Sequence, residues 1–347
     1  MMSPPLALSY IHPPIYPSFV EVAEAAPELA LTRLARDDDD ARIAAALAAS
    51  EGYYVMASRD ELPLRWHLGP ELLAQMPDLL VAASYGAGYD TIDVEACTAA
   101  GVGVVNQAGG NAEGVAQHTL GMMLTLLKRI PESEAAMHSG AVRERDAFLG
   151  RELSGRCVGL IGIGRIGTRV AELLRVFGCR VLADDPLLDA ATIAARGGEK
   201  VDRATLLREA DIISVHCPLN ATTRGMLDSR FFDEMRPEAL FVNTARGGIH
   251  DESALHAALA REHLGGAGLD VWEREPPPRD HPLLAHPRVI ASPHTAGVTH
   301  ESRDRVARMA AQAFIATARG EIPPRLVNPE VEPRLRERIS RRFGAPR

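Results

Sequence analysis

Three short segments carry side chains that could move a proton beside a carboxylate. They are Asn243-Thr244-Ala245-Arg246-Gly247, Gly268-Leu269-Asp270-Val271-Trp272-Glu273-Arg274-Glu275-Pro276 and Ser292-Pro293-His294-Thr295-Ala296-Gly297. Histidine is the side chain best tuned to give or take a proton near neutral pH, so His294 is the candidate acid/base. A carboxylate bonded to its imidazole would stabilise the charged form, and Glu275 is the candidate for that place. Arg246 would offer a planar fork to a substrate carboxylate and carbonyl oxygen, a bidentate geometry that lysine cannot copy. Such a set suits the reduction of a ketone, which consumes a proton as well as a hydride. Singly, each residue has a plainer role: a histidine closing a helix or strand, a glutamate as surface charge. All three segments fall at expected strand ends of one sheet, and that shared position favours chemistry.

A hydride needs a carrier, and Val158-Gly159-Leu160-Ile161-Gly162-Ile163-Gly164-Arg165-Ile166-Gly167 offers it a cradle. Gly162 permits a tight turn, Gly164 lets the backbone approach a pyrophosphate, and Gly167 lets the following helix pack closely on the strand. That helix begins at Arg165 and Ile166, and its N-terminus presents free N–H groups and a positive partial charge to phosphates. A lone G-x-G-x-x-G is weak evidence. Here a strand precedes it, a helix follows it, and an acid ends the next strand. Asp185 stands about 20 residues beyond the turn, where a carboxylate accepts from adenine-ribose hydroxyls; its neighbour Asp184 is a rival for the role. A carboxylate there repels a 2′-phosphate, and Pro186, Leu187, Leu188 and Asp189 provide no arginine to bind one, so NAD is expected rather than NADP.

The elements that must position these groups follow from apolar periodicity. From about Asp78 the chain alternates short β-rich runs with amphipathic helical stretches, the pattern of a parallel α/β sheet. Strands are expected at residues 79–83, 102–106, 157–161, 180–183, 212–216, 240–243 and 289–291, with weaker signals at 6–11 and 53–57. Helices are expected at 38–49, 165–177 (closed by Gly178), from an N-cap at Asp251, and at 299–319. Residues 112–129 are apolar over much of their surface and should be buried, between domains, where that character also suits a homodimer contact or packing within one chain. With 347 residues, two domains are expected. The chain is expected to leave the first near Ala112 and return near Gly297, giving 1–112 plus 298–347 and 113–297. Substrate would bind between them, with Tyr53, Tyr54, Tyr85 and Tyr89 near the specificity pocket.

Charge and cysteine content exclude other classes. Lys plus Arg is 38 and Asp plus Glu 46, a formal net charge of -8, which gives no global reason to bind nucleic acid or an anionic membrane. The basic stretch 334–347 reads as a solvated terminal helix or frayed end. Four cysteines (Cys97, Cys157, Cys179, Cys217) without a C-x-x-C pair argue against a disulfide framework or a metal site and suit the cytoplasm. Residues 1–17 lack the pattern of a signal peptide, and no transmembrane span is expected.

The chain is similar to the D-isomer-specific 2-hydroxyacid dehydrogenase family. The match runs through Gly162 to Gly167, His216-Cys217-Pro218-Leu219, the three segments above and Tyr85-Gly86-Ala87-Gly88-Tyr89-Asp90, from about Leu79 to the final helix. The resemblance implies two doubly wound parallel-sheet domains, a Rossmann NAD-binding domain inserted into a flavodoxin-like substrate domain. It implies a catalytic set of Arg246, Glu275 and His294. The cofactor set becomes Gly162, Gly164, Arg165, Ile166, Gly167, Asp185, His216, Cys217, Thr244, Ala245, Asp270, Gly297 and Thr119, with Asp270 on the nicotinamide side and His216 structural rather than catalytic. Backbone amides around Ala87 and Gly88 would bind the substrate carboxylate with Arg246 and His294; a glycine-rich turn is a sensible anion nest. His118, His281, His286 and His300 are read as ordinary histidines. The implied activity is hydride transfer between NAD and a small D-2-hydroxy acid or 2-keto acid, of glyoxylate or hydroxypyruvate type, by a homodimer.

Some positions depart from the family pattern: Gln117 where Glu is frequent, Ala108 where Pro is frequent, and Ser84 where phosphoglycerate enzymes carry Arg or Asn. Rival readings are a phosphite or formate dehydrogenase and an NAD-sensing regulator or corepressor. Glu275 beside His294 counts against a formate-type site, and no lysine lies near Gly86 to Gly88 for the phosphite type. A regulator, or a bare nucleotide-binding module, would leave Arg246, Glu275 and His294 without purpose.

Overall fold

The computed structural model describes residues 4–12, 16–57, 61–142 and 144–344. The chain divides into two compact units, Met1–Asn111 with Thr299–Arg347, and Ala112–Val298.

The first unit begins β1 Leu6–His12, α1 Pro17–Glu24, β2 Leu29–Ala35, α2 Asp40–Ala48, β3 Gly52–Val55, α3 Pro70–Leu73, β4 Val81–Ser84, α4 Val94–Ala100 and β5 Gly103–Val105. The chain then builds the second unit: α5 Ala112–Leu127, α6 Ile130–Ser139, β6 Cys157–Ile161, α7 Arg165–Val176, β7 Arg180–Asp184, α8 Ala190–Ala195 and β8 Glu199–Lys200. It continues through α9 Arg203–Glu209, β9 Ile212–Val215, α10 Ser229–Glu234, β10 Leu240–Asn243, α11 Glu252–Ala260, β11 Gly266–Leu269, α12 Pro282–Ala285 and β12 Val289–Ala291. Helices α13 His300–Ala318 and α14 Glu332–Phe343 complete the first unit.

The first sheet is parallel throughout, with strand order β2-β1-β3-β4-β5, the flavodoxin-like order. A parallel sheet covered on both faces needs strands that are apolar on both, and every residue of β3 and β4 is buried. Phe19 stacks on Tyr54 at 4.4 Å and meets Phe314 of α13 edge-on at 6.3 Å. The early prolines weaken the sequence signal for β1, yet it pairs with both β2 and β3 inside the sheet. Pro17 stands in the first turn of α1, a place where its missing N–H costs nothing.

The basic C-terminal stretch is docked, contrary to its reading as a solvated or frayed end. Leu335 and Ile339 of α14 are fully buried against Leu80 and Val331. Arg334 and Arg338 of this helix are spent on protein acceptors. Arg338 donates to the carbonyls of Ala100, Gly101 and Pro77 at 3.2, 3.1 and 2.8 Å, and Arg334 to that of Ala99. Cations at the C-terminal carbonyls of α4 complement its dipole. Ala345, Pro346 and Arg347 lie outside the described residues.

The second sheet is also parallel, in the order β12-β11-β10-β9-β6-β7-β8. Taken from β8, that is the Rossmann order 3-2-1-4-5-6 with one strand added, reversing direction between β6 and β9, where open α/β sheets bind ligands. All the chemistry-bearing segments leave the carboxyl ends of its strands: Gly162 after β6, Asp185 after β7, His216 after β9, Thr244 after β10, Asp270 after β11 and Ser292 after β12. Helix α5 is buried through Val115, Ala116, Thr119, Leu120, Met122 and Met123 by packing on α7, β10 and β11 of its own unit. It stops at Leu127, and Arg129 in the left-handed region (φ 52°) starts α6.

Candidate active site

The glycine turn divides its three tasks as expected. Gly162 has φ 88°, and a Cβ there would come within 3.0 Å of the His216 and Cys217 backbone. At Gly167 a Cβ would lie 2.6 Å from the Gly162 carbonyl oxygen, so α7 could not sit as close to β6. A Cβ on Gly164 would meet no atom within 4 Å; the space above that residue is open. Arg165 and Ile166 begin α7, whose first-turn amides have no partner within the helix. An open cradle roofed by amides that, among the described residues, have no protein acceptor, together with a helix dipole, fits the diphosphate of a dinucleotide.

The two rival acids are separated by their partners. Asp184 is the last residue of β7 and is paired with Arg203. Asp185 accepts from Ile163 N within the glycine turn at 3.1 Å, and from Leu187 N at 3.1 Å. Its carboxylate therefore belongs to the turn, while that of Asp184 is committed to an ion pair. Arg203 and Arg196 are brought to this end of the sheet from beyond the segment 186–189; Arg196 donates to Ile163 O at 2.7 Å. Burial pushes His216 down to about 4, leaving it neutral and bonded to Ser214 Oγ at 2.9 Å. Burial raises the Cys217 thiol to about 11, so it is not a nucleophile at neutral pH.

After β10, Asn243 shapes the loop that carries Arg246. Its Oδ1 accepts from Ala245 N at 2.9 Å, while Nδ2 donates to Arg246 O at 2.9 Å and to His250 Nδ1 at 3.1 Å. His250, buried and pushed down to about 4 by desolvation, stays neutral and can accept. Arg246 Nη1 donates to Ala245 O at 2.7 Å. Gly247 lies so close to the loop after β11 that a Cβ would overlap the Trp272 carbonyl. No other residue permits that approach.

His294 and Glu275 meet as expected. His294 Nδ1 donates to Glu275 Oε2 at 2.8 Å, and Glu275 Oε1 accepts from Trp272 N at 3.1 Å. Desolvation opposes the imidazolium, but the hydrogen bond and charge of Glu275 outweigh it and His294 is held above its ordinary value. Desolvation likewise opposes the Glu275 carboxylate; the His294 hydrogen bond and charge, the Trp272 amide and Arg246 reverse it, so its pKa is lowered. With Nδ1 engaged, Nε2 is the ring atom left to exchange a proton with a substrate. His294 adopts φ 55°, and its N–H donates to Asp270 O at 2.7 Å.

Asp270 is buried at 1% exposure and holds the whole His294 loop. Its Oδ1 accepts from Ser292 Oγ at 2.6 Å and Thr295 N at 2.8 Å, and its Oδ2 from Ala296 N at 2.9 Å. The residues beside it, Ala296 and Gly297, complete that turn. Thr244 and Thr119 are also inward-facing, joined hydroxyl to hydroxyl at 2.9 Å, so each binds protein rather than open space. Two histidines read as ordinary take part. His118 lies 3.0 Å from Ser292 Oγ, and His281 lies 3.0 Å from Glu252 Oε2, whose Oε1 accepts from Glu273 N at 2.7 Å.

In the first unit, the turn after β4 has its carbonyls tied inward. Gly86 O accepts from Gln107 N at 2.9 Å, Ala87 O from Asn106 Nδ2 at 2.9 Å, and Gly88 O from Ser84 Oγ. Among the described residues no protein group accepts from the Ala87 and Gly88 amides, as an anion nest requires. Of the four tyrosines expected near a specificity pocket, Tyr53 and Tyr54 are core residues. Tyr53 is fully buried with its hydroxyl on Trp66 O at 3.0 Å, Tyr54 stacks on Phe19, and Tyr85 lies under Arg303 at 4.8 Å. Tyr89 is exposed.

A dinucleotide cradle with an imidazole–carboxylate pair and an arginine at neighbouring strand ends defines a nicotinamide-dependent oxidoreductase. The family profile of the D-isomer specific 2-hydroxyacid dehydrogenase, NAD binding domain, matches residues 120–296. The chain is 38% identical over 264 residues to a glyoxylate reductase of Korarchaeum cryptofilum, covering 75% of this chain and 80% of that one. It is 38% identical over 300 residues to an (S)-sulfolactate dehydrogenase of Chromohalobacter salexigens, covering 83% and 94%. Among solved structures it is similar to a D-lactate dehydrogenase from Aquifex aeolicus in complex with NAD and lactic acid, with TM-score 0.77 and 28% identity over 98% of this chain and 100% of that one. The chain belongs to the D-isomer specific 2-hydroxyacid dehydrogenase family. It is an NAD-dependent oxidoreductase acting on 2-hydroxy acids.

Proposed function

We propose that His294 is the acid/base of this reaction, Glu275 its charge partner and Arg246 the clamp for the carboxylate and carbonyl oxygen of the substrate. The observation that carries this reading is the 2.8 Å bond from His294 Nδ1 to Glu275 Oε2, which leaves Nε2 to face a reacting oxygen. NAD, when bound, supplies or accepts the hydride. His294 in its charged form gives a proton from Nε2 to the ketone oxygen during reduction, and in its neutral form takes one from the hydroxyl during oxidation. Arg246 fixes the plane of the keto acid and stabilises charge gathering on that oxygen. Gly162, Gly164, Arg165, Ile166, Gly167 and Asp185 hold the adenine half of the cofactor. His216, Cys217, Ala245 and Gly297 line its path, and Asp270, Thr244 and Thr119 act by fixing the loops around it. The unit formed by residues 112–298 is the cofactor domain, and in the other the amides of Ala87 and Gly88 form a nest suited to a carboxylate.

The substrate is a small, unphosphorylated 2-keto acid such as glyoxylate or hydroxypyruvate. Supporting this, Ser84 is fully buried and turned onto Gly88 O, so its position offers no cation to a phosphate. The relatives named glyoxylate reductase point the same way. The protein acts in the cytoplasm as a homodimer; four free cysteines suit a reducing compartment, and among the described residues no helix is long and apolar enough to cross a membrane. The test is NADH oxidation, followed by absorbance, with glyoxylate, hydroxypyruvate, pyruvate and phenylpyruvate, and NAD reduction with sulfolactate. Turnover highest on glyoxylate or hydroxypyruvate is expected. Turnover confined to phenylpyruvate or sulfolactate would overturn the substrate assignment and keep the chemistry.

A further inference from the structure

Helix α5 presents two consecutive polar residues to two of the loops that carry reactive side chains. Thr119 is fully buried, and its hydroxyl donates to Val115 O at 2.8 Å. Having spent its one proton, it accepts from Thr244 Oγ1 at 2.9 Å, two residues before Arg246. His118, one position earlier, has Nε2 at 3.0 Å from Ser292 Oγ, two residues before His294. The Ser292 hydroxyl donates to Asp270 Oδ1 at 2.6 Å, so it too accepts, and His118 must carry a proton on Nε2. The same Asp270 carboxylate receives the amides of Thr295 and Ala296 on the far side of His294. Two hydrogen-bonded chains therefore leave neighbouring residues of one helix. One ends in the Arg246 loop, the other in the His294 loop.

We propose that His118 and Thr119 are positioning residues that register the arginine and histidine loops on a common helix, holding the Arg246 fork and the His294 imidazole in fixed relation. The inference rests on the roles proposed above for Arg246 and His294. Neither residue needs to touch substrate. The helix is already packed by Val115, Leu120, Met122 and Met123, so its place in the fold does not depend on these bonds. A misplacement of about 1 Å between reacting groups costs on the order of a hundredfold in rate, so small shifts of either loop are felt in catalysis before stability.

The test is steady-state kinetics on the intact enzyme with NADH and its best keto acid. His118→Phe and Thr119→Val each remove a hydrogen bond and should lower kcat about tenfold. The KM for the keto acid and the affinity for NADH should hold within about twofold, since uniform binding is untouched. His118→Gln and Thr119→Ser keep the donor or acceptor and should recover most of the lost kcat. Ser292→Ala, which adds no bulk, should reproduce the loss of His118→Phe even if the larger substitution impairs folding. Unchanged kcat in Ser292→Ala and Thr119→Val would overturn the proposal, as would a fall in kcat that the Gln and Ser variants do not repair. A His294→Gln control separates the two readings: if it retains turnover, the acid/base assignment is wrong. If it is inactive while the α5 variants turn over normally, only the positioning role fails.

Discussion

At the scale of single residues, the chemistry turns on one bond, from His294 Nδ1 to Glu275 Oε2 at 2.8 Å, which leaves Nε2 for the substrate oxygen. Arg246, Glu275 and His294 are legible in the sequence because each stands in a loop that follows an apolar strand, where a charged side chain has no packing reason to be. The part of Asp270 is not legible. It accepts from the backbone of Thr295 and Ala296, residues 25 and 26 positions downstream, and those amides converge only because His294 takes a left-handed φ. His118 is hidden for the same reason: its partner, Ser292, lies 174 residues away. The reactive pair makes two predictions. His294→Gln should lower kcat about a hundredfold to ten-thousandfold, the worth of a positioned general acid, with NADH binding retained in a fluorescence titration. In Glu275→Gln the partner that raises His294 loses its charge, so the imidazole pKa falls. Ketone reduction requires the protonated ring, so its loss of activity with rising pH should begin at lower pH than in the parent. A kcat/KM profile in which that limb stays in place would refute the pairing.

At the scale of elements, most of the second sheet can be read from the chain. Residues 157–161, 240–243 and 289–291 form strands with the expected bounds, and Asp251 caps α11 by accepting from Ala254 N. Aspartates likewise cap α2, α4, α8, α9 and α10, each satisfying an amide left open by the helix start. The less legible elements are β2, whose burial follows no strict alternation, and α1, which starts on a proline amid several others. Gly247 shows how an element can depend on one absent methyl group. Its approach to the Trp272 carbonyl joins the loop after β10 to the loop after β11, and so Arg246 to Glu275. Gly247→Ala must push those loops apart. It should lower kcat/KM for the keto acid by at least about tenfold, the effect of a misplaced clamp. The thermal midpoint should fall by a few degrees, the signature of local strain rather than loss of the core. Near-normal kcat/KM in the alanine variant would show that the contact does not set the arginine.

At the scale of the whole molecule, α6 is an element that touches α5 yet buries none of its own side chains. It has ten residues, none of them buried, and Ile130 and Met137 are exposed at 49% and 70%. An isolated helix shorter than about 12–15 residues is marginal in water, so a free α6 would not be expected to hold its form. The partner that follows most directly from a chain with no basic surface excess and a small-molecule substrate is a second copy of itself, which would bury the same apolar face on both protomers. Met137→Glu places a charge on that face and touches nothing in the cofactor or substrate machinery. Sedimentation of the parent protein should give twice the chain mass at micromolar concentration, and the glutamate variant should shift toward a single chain as it is diluted. A parent that sediments as one chain at every concentration would reject the homodimer, and α6 would then have to be held in some other way. If the variant instead stays dimeric, the copies meet on a different face and Met137 is simply solvent-facing.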